Sequence, residues 1–151
     1  MRWKLAMGAM ALAFVASGLA GAVTPAPPRP KAPADARVFI VSPADRATVG
    51  EDFEVKFGAS GIAIVPAGDN RPDSGHHHLL IDVDELPPLD LPIPADARHV
   101  HFGKGQTSTT LHLPPGTHTL QLDLGDARHM QFDPPVVSPR ITVHVVAKPA
   151  P

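Results

Sequence analysis

The chain has 151 residues, a formal net charge of −2, nine histidines and no cysteine. That length suits one domain, and the missing cysteines exclude disulfides, Cys₂His₂ zinc sites and His₂Cys copper sites. Mild acidity without a basic stripe argues against nucleic-acid binding.

Residues 1–22 read MRWKLAMGAMALAFVASGLAGA. Arg2 and Lys4 form a basic start, Leu5 to Ala20 an apolar run, and Ala20-Gly21-Ala22 a small-residue cleavage site. This is the pattern of a bacterial signal peptide, cut after Ala22. An uncleaved anchor suits it less well, because the run is short for a span and rich in Ala and Gly. No cysteine follows for lipid attachment, so a periplasmic or secreted product without a membrane span is expected. Loss of Arg2 and Lys4 would take the formal net charge from −2 to −4. Trp3 would leave with the leader and there is no Tyr, so no aromatic platform for stacking a sugar remains.

Residues 23–36 are Pro-rich and read as an extended linker. The folded domain is expected over 37–147, with a tail at 148–151. Within it, apolar residues alternate with period two and Pro or Gly punctuates the pattern. RVFIVS (37–42) is a first strand. DFEVKFGAS (52–60) sets Phe53, Val55 and Phe57 against Glu54 and Lys56. GIAIVPAG is a short strand, HHHLLIDVD a third main one, and HVHF, TSTTLHL, THTLQLDL and ITVHVV follow. Seven to eight strands without a helix predict a single antiparallel immunoglobulin-like β-sandwich. Gly103-Lys104-Gly105-Gln106 and Leu113-Pro114-Pro115-Gly116 are expected to close hairpins. The first lacks the spacing and following helix of a phosphate loop. The stretch 86–98, with four prolines, is long enough to cover an edge or act as a lid.

Side chains on a strand alternate between faces. His76 and His78 therefore share one face with Leu80 and Asp82, while His77 joins Leu79 and Ile81 on the core side. His99 and His101 form a second H-x-H pair. If HVHF pairs antiparallel to the HHHLLID strand and both tight turns close hairpins, His76, His78, His101 and His129 meet at one end of the sandwich. These four are the candidate metal ligands. Asp82 ranks below them as a ligand or supporting carboxylate. His112 and His144 read as solvated surface residues, and His118, at the opposite end, as a structural histidine.

The segments SPADRATV, VKFGASGIAIVPAG, SGHHHLLID, HVHFGKGQT, LPPGTHTLQL, GDARHM and ITVHV, in this order, resemble a family of small exported bacterial proteins catalogued as a domain of unknown function (number 4399). The resemblance covers about residues 38–146. It implies an exported β-domain whose signature includes His76, His77, His78, His101, His118 and His129, with Gln106 and Thr107 in the glycine turn. It supplies no activity. Relatives often carry Gly at the positions of Arg46 and Lys104, an acidic residue at Ser108, and a second His near Phe132. If that second His is a ligand in them, it is missing here.

Three functions compete. The first is a non-enzymatic module binding a divalent metal, Cu(II) or Zn(II), through the histidine cluster, with no organic cofactor. The second is a non-catalytic interaction module for a cell-envelope protein, in which the histidines are structural. The third, a metal-dependent enzyme using Asp82, lacks a clear general base and a G-x-S-x-G nucleophile.

Overall fold

The structure is a computed structural model describing residues 28–147. The expected signal peptide, its cleavage point and the tail at 148–151 lie outside the described residues. Among the described residues nine strands form: β1 (Arg37–Ser42), β2 (Ala47–Gly50), β3 (Asp52–Ser60), β4 (Ala63–Ile64), β5 (Ser74–Ile81), β6 (His99–His101), β7 (Ser108–His112), β8 (Gly116–Gly125) and β9 (Ile141–Val146). There is no helix among the described residues, hence none long and apolar enough to cross a membrane.

The strands make two sheets. One has the order β1-β3-β7, and the other β2-β9-β8-β5-β4 with β6 also on β5. The expected all-β sandwich is thus present. Its main ladders are antiparallel, while two short pairings, β2 with β9 and β4 with β5, are parallel. The alternation read from the sequence builds the core. Phe53, Val55 and Phe57 of β3 face Leu79 and Ile81 of β5, Leu120, Leu122 and Leu124 of β8, and Val143 and Val145 of β9. Burying each such side chain stabilises the fold by about 1.5–3 kcal/mol relative to exposure.

The two tight turns do not close hairpins. β6 lies on β5, β7 lies on β3, and β8 returns to β5, so both 103–106 and 113–116 carry the chain across from one sheet to the other. The crossing is already complete at Thr107, whose carbonyl accepts the Phe57 N–H at 2.8 Å. Turn residues dictate that the chain reverses. They do not dictate which sheet receives the next strand. The reversal still alternates the ends of the sandwich, and that alternation positions the site.

Every residue of β5 is buried, although its outer face carries His76 and His78. Two irregular segments cover that face. From 86–98, Pro87 and Ile93 are buried, the Ile93 N–H donates to the His129 carbonyl at 2.8 Å, and Gln131 Nε2 donates to the Pro87 carbonyl at 2.9 Å. The second segment runs past His129 to Ser138 and extends the β8 edge through bridges at Gln131 and Val137. The end of the Pro-rich stretch lies along it. Asp133 N–H donates to the Pro30 carbonyl and Ala32 N–H to the Asp133 carbonyl, and the Arg29 guanidinium donates to the carbonyls of Gln131 and Phe132.

Candidate metal centre

Two ladder registers and one loop bring the four candidate histidines together. On one edge of β5, His78 stands directly opposite His101. On the other edge, His78 faces Asp123 and His76 faces Gly125. β8 then ends in a turn over 126–129. Asp126 Oδ1 accepts the backbone N–H groups of Arg128 and Met130, both at 2.8 Å, and His129 takes a left-handed φ of 66°. That conformation costs a non-glycine residue energy, and here it turns the imidazole onto the β5 face.

One ligand-type nitrogen from each of His76, His78, His101 and His129 lies within 4.8 Å of all the others. His129 Nε2 and His101 Nε2 are 3.2 Å apart. The six ring-centre separations are 4.9 Å (76–78), 5.0 Å (76–101), 4.9 Å (76–129), 5.1 Å (78–101), 5.8 Å (78–129) and 4.8 Å (101–129). His76 and His78 are fully buried, while His101 and His129 are half-buried and form the rim.

Two glycines make room for the rings. A Cβ on Gly103 would stand 2.3 Å from His101 Cε1, and one on Gly125 would stand 2.8 Å from His78 Cε1. Both positions need glycine for space, since a side chain would push an imidazole out of the cluster.

Burial, then the neighbouring imidazoles of His129 and His101, pushes His76 down to about 4. Burial and the same crowding push His78 down to about 2. His101 is lowered by burial and by His129. These three rings are therefore neutral at pH 7, the form that ligates a cation. Neither ring nitrogen of His76 or His78 has a hydrogen-bond partner. Buried polar atoms are almost always paired; both nitrogens of His77, in the core, also lack a partner, so it is their convergence with His101 and His129 that makes His76 and His78 part of a donor set suited to a metal ion.

The remaining histidines divide largely as their faces predicted. His77 turns into the core against Phe57, ring centres 5.4 Å apart. His99 Nδ1 meets Asp96 at 2.9 Å. His112 pairs with Asp52 at 2.8 Å and His144 with Thr117 at 3.2 Å, both exposed. His118 Nδ1 sits 2.7 Å from Asp82 Oδ2, and its Nε2 2.9 Å from the Pro114 carbonyl. Asp82 also accepts the Thr119 N–H at 2.8 Å. It therefore belongs to the opposite end and supports no metal ligand. β5 stops at Ile81 and Asp82 has a left-handed φ of 54°, so the strand parity that grouped it with His76 and His78 ends before it.

Sequence reasoning missed Asp123 and Gln131. Both are fully buried, and both carboxylate oxygens of Asp123 and Gln131 Oε1 lack a partner. Burial pushes the Asp123 carboxyl up to about 7. In LQLDLG Asp123 alternates with Leu122 and Leu124, a pattern that an ordinary solvated face gives equally well. Only its register opposite His78 marks it. Phe132 is buried in the core.

Fold and site together define an all-β sandwich with a cluster of four imidazoles, two buried and two half-buried, at one end. The family model described as Domain of unknown function (DUF4399) matches residues 55–146, and the chain belongs to that family. Among solved structures, the chain is similar to the Clostridium thermocellum CbhA fibronectin(III)-like modules, at 16% identity and a TM-score of 0.34 over 76% of this chain and 99% of that one. No curated protein matches.

Proposed function

We propose that this is an exported, non-enzymatic module that holds a divalent transition-metal ion, Zn(II) or Cu(II), through His76, His78, His101 and His129. The observation that carries the reading is the convergence of four ligand nitrogens within 4.8 Å, two of the rings being buried with no hydrogen-bond partner. Imidazoles without thiolates suit these ions, and neutral rings bind them without first losing protons. The signal-like residues 1–22 support export. The test is calorimetric titration of the untagged protein with Zn(II) and with Cu(II). One ion per chain is expected, and binding should be lost in a His76→Ala/His78→Ala double variant and weakened in His101→Ala, whose half-buried position makes it the milder change. Equal affinity in wild type and all variants would refute the proposal.

A further inference from the structure

The arrangement of the four rings constrains the coordination geometry, and the inference drawn from it rests on the metal-binding reading above. A tetrahedral ion with metal–nitrogen bonds of about 2.0–2.1 Å separates its ligand nitrogens by about 3.3 Å. With ring centres roughly 1.2 Å further out, four imidazole centres would stand about 5.2 Å apart in all six pairs. A square-planar ion would instead give four pairs near 4.5 Å and two near 6.4 Å, on the same bond lengths of about 2.0 Å. The observed separations run from 4.8 to 5.8 Å with no pair at the square diagonal, and the His101–His129 nitrogen pair stands at 3.2 Å. The ring separations lie nearer the tetrahedron than the square, and the ligand nitrogens, now up to 4.8 Å apart, would draw together around the ion.

The surroundings hold the rings in that arrangement. His78 and His101 are fixed across a ladder, and the His101 and His78 rings lie against the backbone at Gly103 and Gly125. Among the described residues no carboxylate joins the four nitrogens, not even Asp123 opposite His78. Asp82 is engaged by His118, and Asp126 is engaged by the backbone of its own turn. Catalytic zinc sites keep three protein ligands and an open position, whereas structural sites close all four.

We infer that the centre is a closed tetrahedral site for a Zn(II)-type ion, filled by four imidazoles with no position left for water or substrate. Such a centre holds its metal and does not activate a bound water.

Cobalt(II), which reports geometry by its colour, gives the test. Tetrahedral Co(II) absorbs visible light far more strongly than six-coordinate Co(II). Titrating the untagged protein with Co(II) alone should produce intense visible bands that saturate at one equivalent and vanish when one equivalent of Zn(II) is added. Azide should leave the bands unchanged, because a closed centre offers it no position. In His101→Ala, where three histidines remain and one position opens, the bands of bound Co(II) should become sensitive to azide while circular dichroism shows the sheet intact. In the wild type, bound Co(II) with only weak bands, or bands that shift with azide, would overturn the closed tetrahedral inference and leave metal binding standing. No uptake of Co(II) or Zn(II) would overturn both.

Discussion

Acidification should unfold the metal-free protein well above the pH at which its carboxylates protonate. His76, His77 and His78 are held neutral down to about 4, 4 and 2, burial being the largest cause in each. In the unfolded chain they protonate near 6.5. A group whose folded pKa is depressed in this way stabilises the fold above its unfolded pKa. That stability is lost as pH falls from the unfolded towards the folded value. Asp123 acts in the opposite sense. Its folded carboxyl keeps a proton up to about 7 and releases it on unfolding above roughly 4. Between these limits unfolding takes up about three protons and releases about one, a net uptake near two and a slope of roughly 3 kcal/mol per pH unit. Going from pH 6.5, where the unfolded histidines are only half protonated, to pH 5 then removes about 3 kcal/mol, a large part of an ordinary domain's 5–15 kcal/mol. His101, lowered by burial and by His129, adds to the loss. Urea titrations with chelator present, followed by far-ultraviolet circular dichroism, measure this directly. The slope should steepen by about one proton in Asp123→Asn, where the opposing group is gone. Stability that stays flat or rises between pH 6.5 and 5 would refute the reasoning.

Other outcomes follow from the same geometry. Gly125→Ala should lower metal affinity by about 10–100-fold in a competitive chelator titration, because its Cβ would meet His78 Cε1 at 2.8 Å. Zinc at a hundred times its dissociation constant should raise the unfolding free energy by about 2.7 kcal/mol, and chelator should return it. His118→Ala should cost about 1.5–3 kcal/mol in urea at pH 6 while metal affinity is unchanged, since its bonds to Asp82 and Pro114 lie at the other end. Burial alone would lower the His118 pKa, but these bonds outweigh it and raise it. The stability they give is complete below about 6.5 and fades as pH rises through the raised value, so the cost of His118→Ala should shrink in alkaline urea titrations.

The strands were legible because period-two alternation is set by burial on one face, and Phe53, Val55 and Phe57 display it without interruption. The parity of the histidine triplet was legible for the same reason. His77 meets Phe57 in the core, and its two neighbours face the cluster. Sheet membership was not legible. Gly and Pro at 103–106 and 113–116 mark reversals without naming the partner strand, so both turns looked like hairpins. The convergence of the four histidines nevertheless followed, since it depends on which end each strand reaches. The burial of the outer β5 face was hidden because its covers, 86–98 and the segment after β8, have no periodicity to read. Asp123 was hidden because a polar residue alternating with leucines looks the same whether water or a covering segment lies above it.

The left-handed turn at His129 has a consequence for folding. The chain from His101 to His129, 28 positions apart, and the stretch between His78 and His101, become closed loops once one ion grips all three rings. A covalent cross-link closing a loop of that size limits the unfolded chain enough to add about 3.5 kcal/mol. A protein without cysteines would thus acquire a reversible staple, fastened when metal arrives and undone when it leaves. The staple would tie β5, β6 and the segment after β8 into one cooperative unit.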